Sequence, residues 1–208
     1  KIKVKFDKSL QSVELKYLVE SLFMKHFQAE KIIELKVLSE TDDVTSCFNQ
    51  RKLFTDLDEL IHKSSRDNSI FSVLFIDVDK FKVVNDLFGH LVGSTLLADI
   101  AVIIRNHIQT PYFYRYGGDE FVLFIDKVGG EKVLELGNII CQSIKDASFK
   151  IENHGEYKLS VSIGICEFPT DASNYKEVIE IADKMMYESK NSGRGRVAQY
   201  RKSSEEVS

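Results

Sequence analysis

Two apolar runs, Pro111 to Tyr116 and Phe121 to Ile125, meet across Gly117-Gly118, and this pairing restricts the middle of the chain to very few conformations. Glycine adopts positive φ without steric cost, so a Gly-Gly pair between strand-like runs predicts a tight hairpin. Asp119 and Glu120 follow the turn, which puts acid at the hairpin tip. Alone, the turn fits simple chain reversal with its acids in water equally well. A functional reading depends on what else is delivered to the same place.

The chain has 208 residues and ordinary apolar content, enough for one sizeable core or one domain with an appendage. A net charge of -4 argues against a binder of nucleic-acid polymers, which would carry a strongly basic face. Any nucleotide partner is therefore small and held by a few placed groups. Cys47, Cys141 and Cys166 are widely spaced and odd in number, which predicts a reduced, cytoplasmic protein whose thiols pack as small hydrophobes. No apolar run approaches the roughly 20 residues that span a bilayer, and no signal peptide is visible.

Lys1 to Phe6 alternates Lys with Ile2, Val4 and Phe6, a one-faced strand pattern. With no starting Met, residues 1–9 are expected to end an upstream domain missing from this piece. From Leu10 to Leu38 there is no Pro or Gly, and Leu18, Leu22, Phe27, Ile32, Leu35 and Leu38 recur at roughly helical spacing. Residues 10–40 are thus a long amphipathic helix or stalk. Lys25 and Lys36 interrupt its best seam, which leaves open a dimeric coiled coil or a helix packed on its own domain. Ser39 to Asp43 reads as a break, and the domain proper occupies 41–200, with a frayed tail at 201–208.

Within the domain, Asn49 to Ile61 is expected to be helical and Ser64 to Ser69 a polar loop. Phe71 to Ile76 is a nearly continuous apolar run, the mark of a central strand buried on both faces. A loop punctuated by Gly89 and Gly93 is followed by a helix from Leu96 to Ile108. After the hairpin come a helix from Glu131 to Ala147, an alternating strand from Lys158 to Glu167 and a helix from Tyr175 to Lys190. The order predicts an α/β (α+β) domain with a central mixed sheet flanked by helices.

The central strand ends in Asp77-Val78-Asp79, which puts both acids on one face, or splits them if the strand bends. If strand and hairpin are neighbours, three or four carboxylates converge, and such crowding calls for a cation. Hard oxygen ligands in that number suit Mg²⁺ or Mn²⁺, which completes its shell with substrate phosphates. Lys190 and Arg194 lie four apart at the end of the last helix, and Lys82 follows the acidic strand. A triphosphate needs both metal and Lys or Arg, so phosphoryl or nucleotidyl transfer leads. Taken singly, the acids also read as surface turns, and the cations as complements to a helix dipole.

Several motifs in one order make the resemblance specific. The sequence resembles the GGDEF family of diguanylate cyclase domains from about Ser39 to Tyr200. The opening stretch Asp42-Asp-Val-Thr45 to Arg51, then Asp77-Val-Asp-Lys-Phe-Lys-Val-Val-Asn85-Asp-Leu-Phe-Gly89-His90, then Ser160-Val-Ser-Ile-Gly164, then Ala182-Asp183 to Arg194 all match its pattern. The resemblance implies a sheet like that of adenylyl cyclases and polymerase palms, and an enzyme of bacterial second-messenger signalling. It implies that Asp77, the Val78 carbonyl, Asp119 and Glu120 hold two Mg²⁺ ions per active site, with one hairpin acid assisting deprotonation of the attacking 3′-hydroxyl. Phe81 and Lys82 would cradle phosphates, Lys190 and Arg194 would take the outer ones, and Asn85 would face the base. Each domain would hold one triphosphate, so the resemblance implies that catalysis needs a homodimer and that residues 10–40 are a signalling helix, which dimerises the chain and transmits a signal from the missing sensory domain.

Two departures matter. Where the family's G-H-x-x-G-D pattern ends in Asp, this chain has Ser94. A carboxylate there accepts from guanine N1–H and N2 together but opposes adenine, whereas a hydroxyl both donates and accepts. Losing the charged partner costs about 1.5 to 3 kcal/mol of guanine preference, roughly ten- to a hundred-fold. The change resembles the hybrid promiscuous subclass, which joins ATP with GTP into 3′,3′-cyclic GMP-AMP beside cyclic di-GMP. The alternative is a strict GTP enzyme with Asn85 still enforcing guanine. Second, the R-x-x-D product-inhibition site of many members would fall at Ile108 and Pro111, so no such site is expected. A degenerate domain that only binds nucleotide and signals through its stalk is the rival from another class. The retained signature acids and Lys82, Lys190 and Arg194 argue against it.

Overall fold

A computed structural model describes residues 12–200. The expected strand at Lys1 to Phe6, the start of the stalk and the tail at 201–208 lie outside the described residues. The chain divides after Glu40 into two units. The first is α1 (Ser12–Glu40), an unbroken helix. Leu18, Leu22, Phe27, Ile32, Leu35 and Leu38 on it are all exposed. Among the described residues no helix is long and apolar enough to cross a membrane.

The second unit is built on β2 (Phe71–Val78), buried at every position. Its apolar side chains alternate between two cores. Leu74, Ile76 and Val78 face α3 (Phe81–Phe88), α4 (His90–Arg105) and α5 (Glu131–Asp146). Phe71, Val73 and Phe75 face α2 (Gln50–Asp67) and α6 (Tyr175–Asn191). Both faces of the central strand are thereby dry, which accounts for its unbroken hydrophobic run. The other strands are β1 (Phe48–Asn49), β3 (Phe113–Gly117), β4 (Glu120–Asp126), β5 (Phe149–Ile151), β6 (Gly155–Tyr157), β7 (Val161–Phe168) and β8 (Val197–Gln199). The main sheet has six strands in the order β1-β3-β4-β2-β7-β8, and β5 and β6 form a separate hairpin. The inner pairings are antiparallel, while β1 on β3 and β8 on β7 are parallel, so the sheet is mixed as expected.

Several boundaries differ from the sequence reading. The segment Ser64 to Ser69 is largely helical, because α2 continues to Asp67 with Ser64 buried and its hydroxyl donated to the Ser69 carbonyl. Asn68 ends the helix in the left-handed conformation, a role its short polar side chain tolerates. The expected loop around Gly89 and Gly93 is two helices, α3 and α4, hinged at Gly89. The helix expected to reach Ile108 stops at Arg105. Arg194 lies beyond the end of α6 at positive φ, so it does not share a helical face with Lys190. Cys47, Cys141 and Cys166 are free and buried, as small core residues.

Candidate active site

The site forms where β2 ends beside the hairpin tip. Asp77 is in register with Glu120 across the β2–β4 ladder, and the Val78 amide donates to the Asp119 carbonyl at 3.2 Å. Strand and hairpin are therefore neighbours, and their acids meet. Asp77 is 7% exposed, and burial pushes its carboxyl up to about 6 against the pull of Lys190. Burial also raises Glu120, helped by the charges of Asp77, Asp119 and Asp183. Carboxyls held this way favour a bound cation. Lys190 answers that demand with an ion pair to Asp77 at 2.7 Å.

Among the described residues no group of three or more His, Cys, Asp or Glu side chains could hold a metal ion by itself. Mg²⁺ does not require one, since it binds through one or two carboxylates and completes its octahedron with water and phosphate. Asp77 and the hairpin acids, with the Val78 carbonyl at the strand end, have that donor chemistry. The residues present fit the ion.

Asp79 is on the same side but has another task. Its carboxylate accepts from Ser160 Oγ at 2.6 Å, Ser162 Oγ at 2.7 Å and the Gly195 amide at 2.9 Å. It ties the end of β2 to the start of β7 and to the loop that carries Arg194. Gly164, two residues after Ser162, gives α6 its close approach: a β-carbon there would overlap the Ala182 carbonyl and the Met186 amide. The Ser-x-Ser-x-Gly stretch thus seats α6, and with it Lys190, against the sheet. Asp79 was read from sequence only as a second acid, because its partners lie more than 80 residues away.

Phe81, buried, and Lys82, exposed, open α3. The first amides of a helix lack intrahelical acceptors and suit phosphate. Asn85 on α3 and Ser94 on α4 are both half-buried. Gly93 lies between them: a β-carbon on it would overlap Asn85 Oδ1. Asn85 thus packs against the α4 backbone one residue before Ser94. Ile108 and Pro111 border a cavity of about 630 Å³ with Tyr112, Ile125 and Leu136.

Arg115 was not singled out by sequence reasoning. Its guanidinium holds both oxygens of Asp42 at 3.1 Å and donates to the Gly118 carbonyl at 3.0 and 2.7 Å. Asp42 also accepts from the Thr45 amide and hydroxyl at 2.8 and 2.7 Å. The signal was in the opening motif, whose Asp42 and Thr45 had no assigned role. Together these groups pin the turn that carries Asp119 and Glu120.

Residues 39–196 match the family model described as diguanylate cyclase, GGDEF domain. The chain belongs to the GGDEF domain family. Over 157 residues it is 34% identical to diguanylate cyclase DosC of Escherichia coli K12, covering 75% of this chain and 34% of that protein. It is 36% identical over 162 residues to the bifunctional diguanylate cyclase/cyclic di-GMP phosphodiesterase MucR of Pseudomonas aeruginosa, covering 77% and 23%. The alignments to these curated relatives thus span about a third of their length or less. Among solved structures, the coiled coil and GGDEF domain of DgcB from Caulobacter crescentus, in complex with c-di-GMP, superposes with a TM-score of 0.84 at 25% identity, covering 91% of this chain and all of that one. The GGDEF domain of PA1120 from Pseudomonas aeruginosa superposes at 0.73 and 29% identity, covering 77% and 94%. The mixed sheet and flanking helices are those of GGDEF domains.

Proposed function

We propose that this GGDEF domain is a dinucleotide cyclase that joins two nucleoside triphosphates into a 3′,3′-cyclic dinucleotide, acting as a homodimer with Mg²⁺ or Mn²⁺. The observation that carries the reading is the juxtaposition of Asp77 with Glu120 across the ladder, with Lys190 paired to Asp77. Asp77, the Val78 carbonyl, Asp119 and Glu120 would hold two ions, which when bound neutralise the triphosphate and polarise the attacked phosphorus. The α3 amides of Phe81 and Lys82 orient the phosphates, and Arg194 and Lys190 take the outer oxygens, Lys190 exchanging its carboxylate partner for phosphate. The 3′-oxygen of one nucleotide attacks the α-phosphorus of the other. The bond to the bridging oxygen breaks with its electron pair leaving on pyrophosphate, and the hydroxyl proton passes to a hairpin carboxylate. Because each domain holds one triphosphate, two domains must face each other, a task suited to the exposed apolar residues of α1.

Base choice is the finer part of the reading. Asn85 and Ser94 would present the base with an amide and a hydroxyl, both able to donate and accept. We infer that GTP and ATP both enter, giving cyclic GMP-AMP alongside cyclic di-GMP. Pyrophosphate release from GTP with Mg²⁺ tests the chemistry: turnover should be lost in E120Q, and absence of turnover in the parent protein at high concentration would refute it.

A further inference from the structure

Next to the acids lies a cavity of about 550 Å³ ringed by Lys80, Lys145, Lys158 and Arg194, with Asp79, Ser160 and Gly195 among its lining. Its four cations outnumber its one acid. Among the described residues, none of these four cations has a carboxylate partner. The one acid present, Asp79, accepts only from neutral donors, two serine hydroxyls and the Gly195 amide. Lys145 reaches in from the last turn of α5, its Nζ 3.0 Å from where a β-carbon on Gly195 would stand. Lys158 uses two of its donors on the Asp146 and Ala147 carbonyls at 2.9 and 3.0 Å, which leaves the third for a ligand. In a chain of net charge -4, such a concentration of unpaired cations marks a site for a multiply charged anion. The apolar lining is limited to Tyr157 and Leu159, too little to sandwich a base.

The position identifies the anion. Asp79 in the lining is two residues from Asp77, and Arg194 belongs both to this ring and to the proposed phosphate-binding set. We propose that the cavity receives the pyrophosphate end of the triphosphate and retains pyrophosphate after the phosphodiester forms, with Lys145 and Lys158 as binding residues. Both lie outside every motif that marks the family. The proposal rests on the cyclase reading, which supplies the leaving group: as the bond to the α-phosphorus breaks, charge grows on the oxygens nearest these lysines.

Calorimetric titration of magnesium pyrophosphate into the whole chain tests it directly, without requiring turnover. K145E should weaken binding at least fivefold, with an unchanged melting midpoint because Lys145 is exposed. K132E makes the same charge change at the other end of α5 and should leave binding within twofold of the parent. Equal affinities of K145E and the parent, an equal loss in K132E, or no binding by the parent would overturn the proposal. Cyclic product formation is measured in parallel. Pyrophosphate binding that depends on Lys145 in a chain making no cyclic product upholds the cavity and refutes the cyclase reading; turnover with binding indifferent to Lys145 does the reverse.

Discussion

At the residue scale, the fold holds one carboxylate where burial opposes its charge. Asp77 has its folded pKa raised from an ordinary 3.8 to about 6 by burial. Between those values the folded state binds more protons than the unfolded one, so this site stabilises the metal-free fold most below about pH 4 and loses that contribution as pH rises through 6. The full swing is roughly 3 kcal/mol. Chemical denaturation of metal-free protein from pH 4 to 7 should therefore show D77N with a flatter loss of stability than the parent; parallel profiles would contradict the assignment. Asp42 behaves oppositely. Burial pushes it up, but the hydrogen bonds from Thr45 and Arg115 outweigh burial and hold it below its usual value. Its contribution is present above the unfolded pKa and disappears as pH falls through the folded one.

Arg115 converts that bond into geometry, since one guanidinium holds both Asp42 and the hairpin turn. R115A should cost about 2 kcal/mol in stability from the lost charge-assisted bonds and lower turnover roughly tenfold or more, because catalytic acids displaced by even 1 Å lose rate steeply. R115K keeps the charge but not the planar fork, and should recover little turnover. Full activity in R115A would remove the hairpin anchor from the account.

At the scale of elements, the site depends on how closely α6 lies on β7. Gly164 has no room for a side chain against the α6 backbone, so G164A must push the helix outward. A loss of about 1 to 3 kcal/mol in stability follows from overpacking, together with a weaker Lys190–Asp77 pair; a melting midpoint equal to that of the parent would show that α6 yields freely. What was legible in the sequence follows the same division. The hairpin, the central strand and the acids at its end could be read because turn chemistry and apolar runs are local signals. Helix α3 was hidden because its eight residues, with polar Asn85-Asp86 and Gly89 after them, carry too short a pattern to separate from a loop. Strands β1 and β8, two and three residues long, take their identity from the neighbours they pair with, which no local pattern reports. The Lys190–Asp77 pair and the Asp79 clamp join residues brought together only by the sheet order.

At the scale of the whole molecule, the domain is half of a reaction on the proposed cyclase reading. Its signature acids, the α3 amides and the α6 cation converge at one end of the sheet, and on the proposed reading Asn85 and Ser94 would face the base from the α3–α4 pair. If α1 brings two domains together, turnover per chain should rise with protein concentration, and a chain beginning at residue 41 should need far more protein to reach the same rate. Concentration-independent turnover would count against assembly through α1. The most direct test is product analysis by mass after incubation with Mg²⁺ and an equal mixture of GTP and ATP. Cyclic GMP-AMP alongside cyclic di-GMP, with S94D shifting the balance toward cyclic di-GMP by roughly ten- to a hundred-fold, is the predicted result. Cyclic di-GMP alone from the parent protein would contradict the role given to Ser94, and no cyclic product at all would contradict the account as a whole.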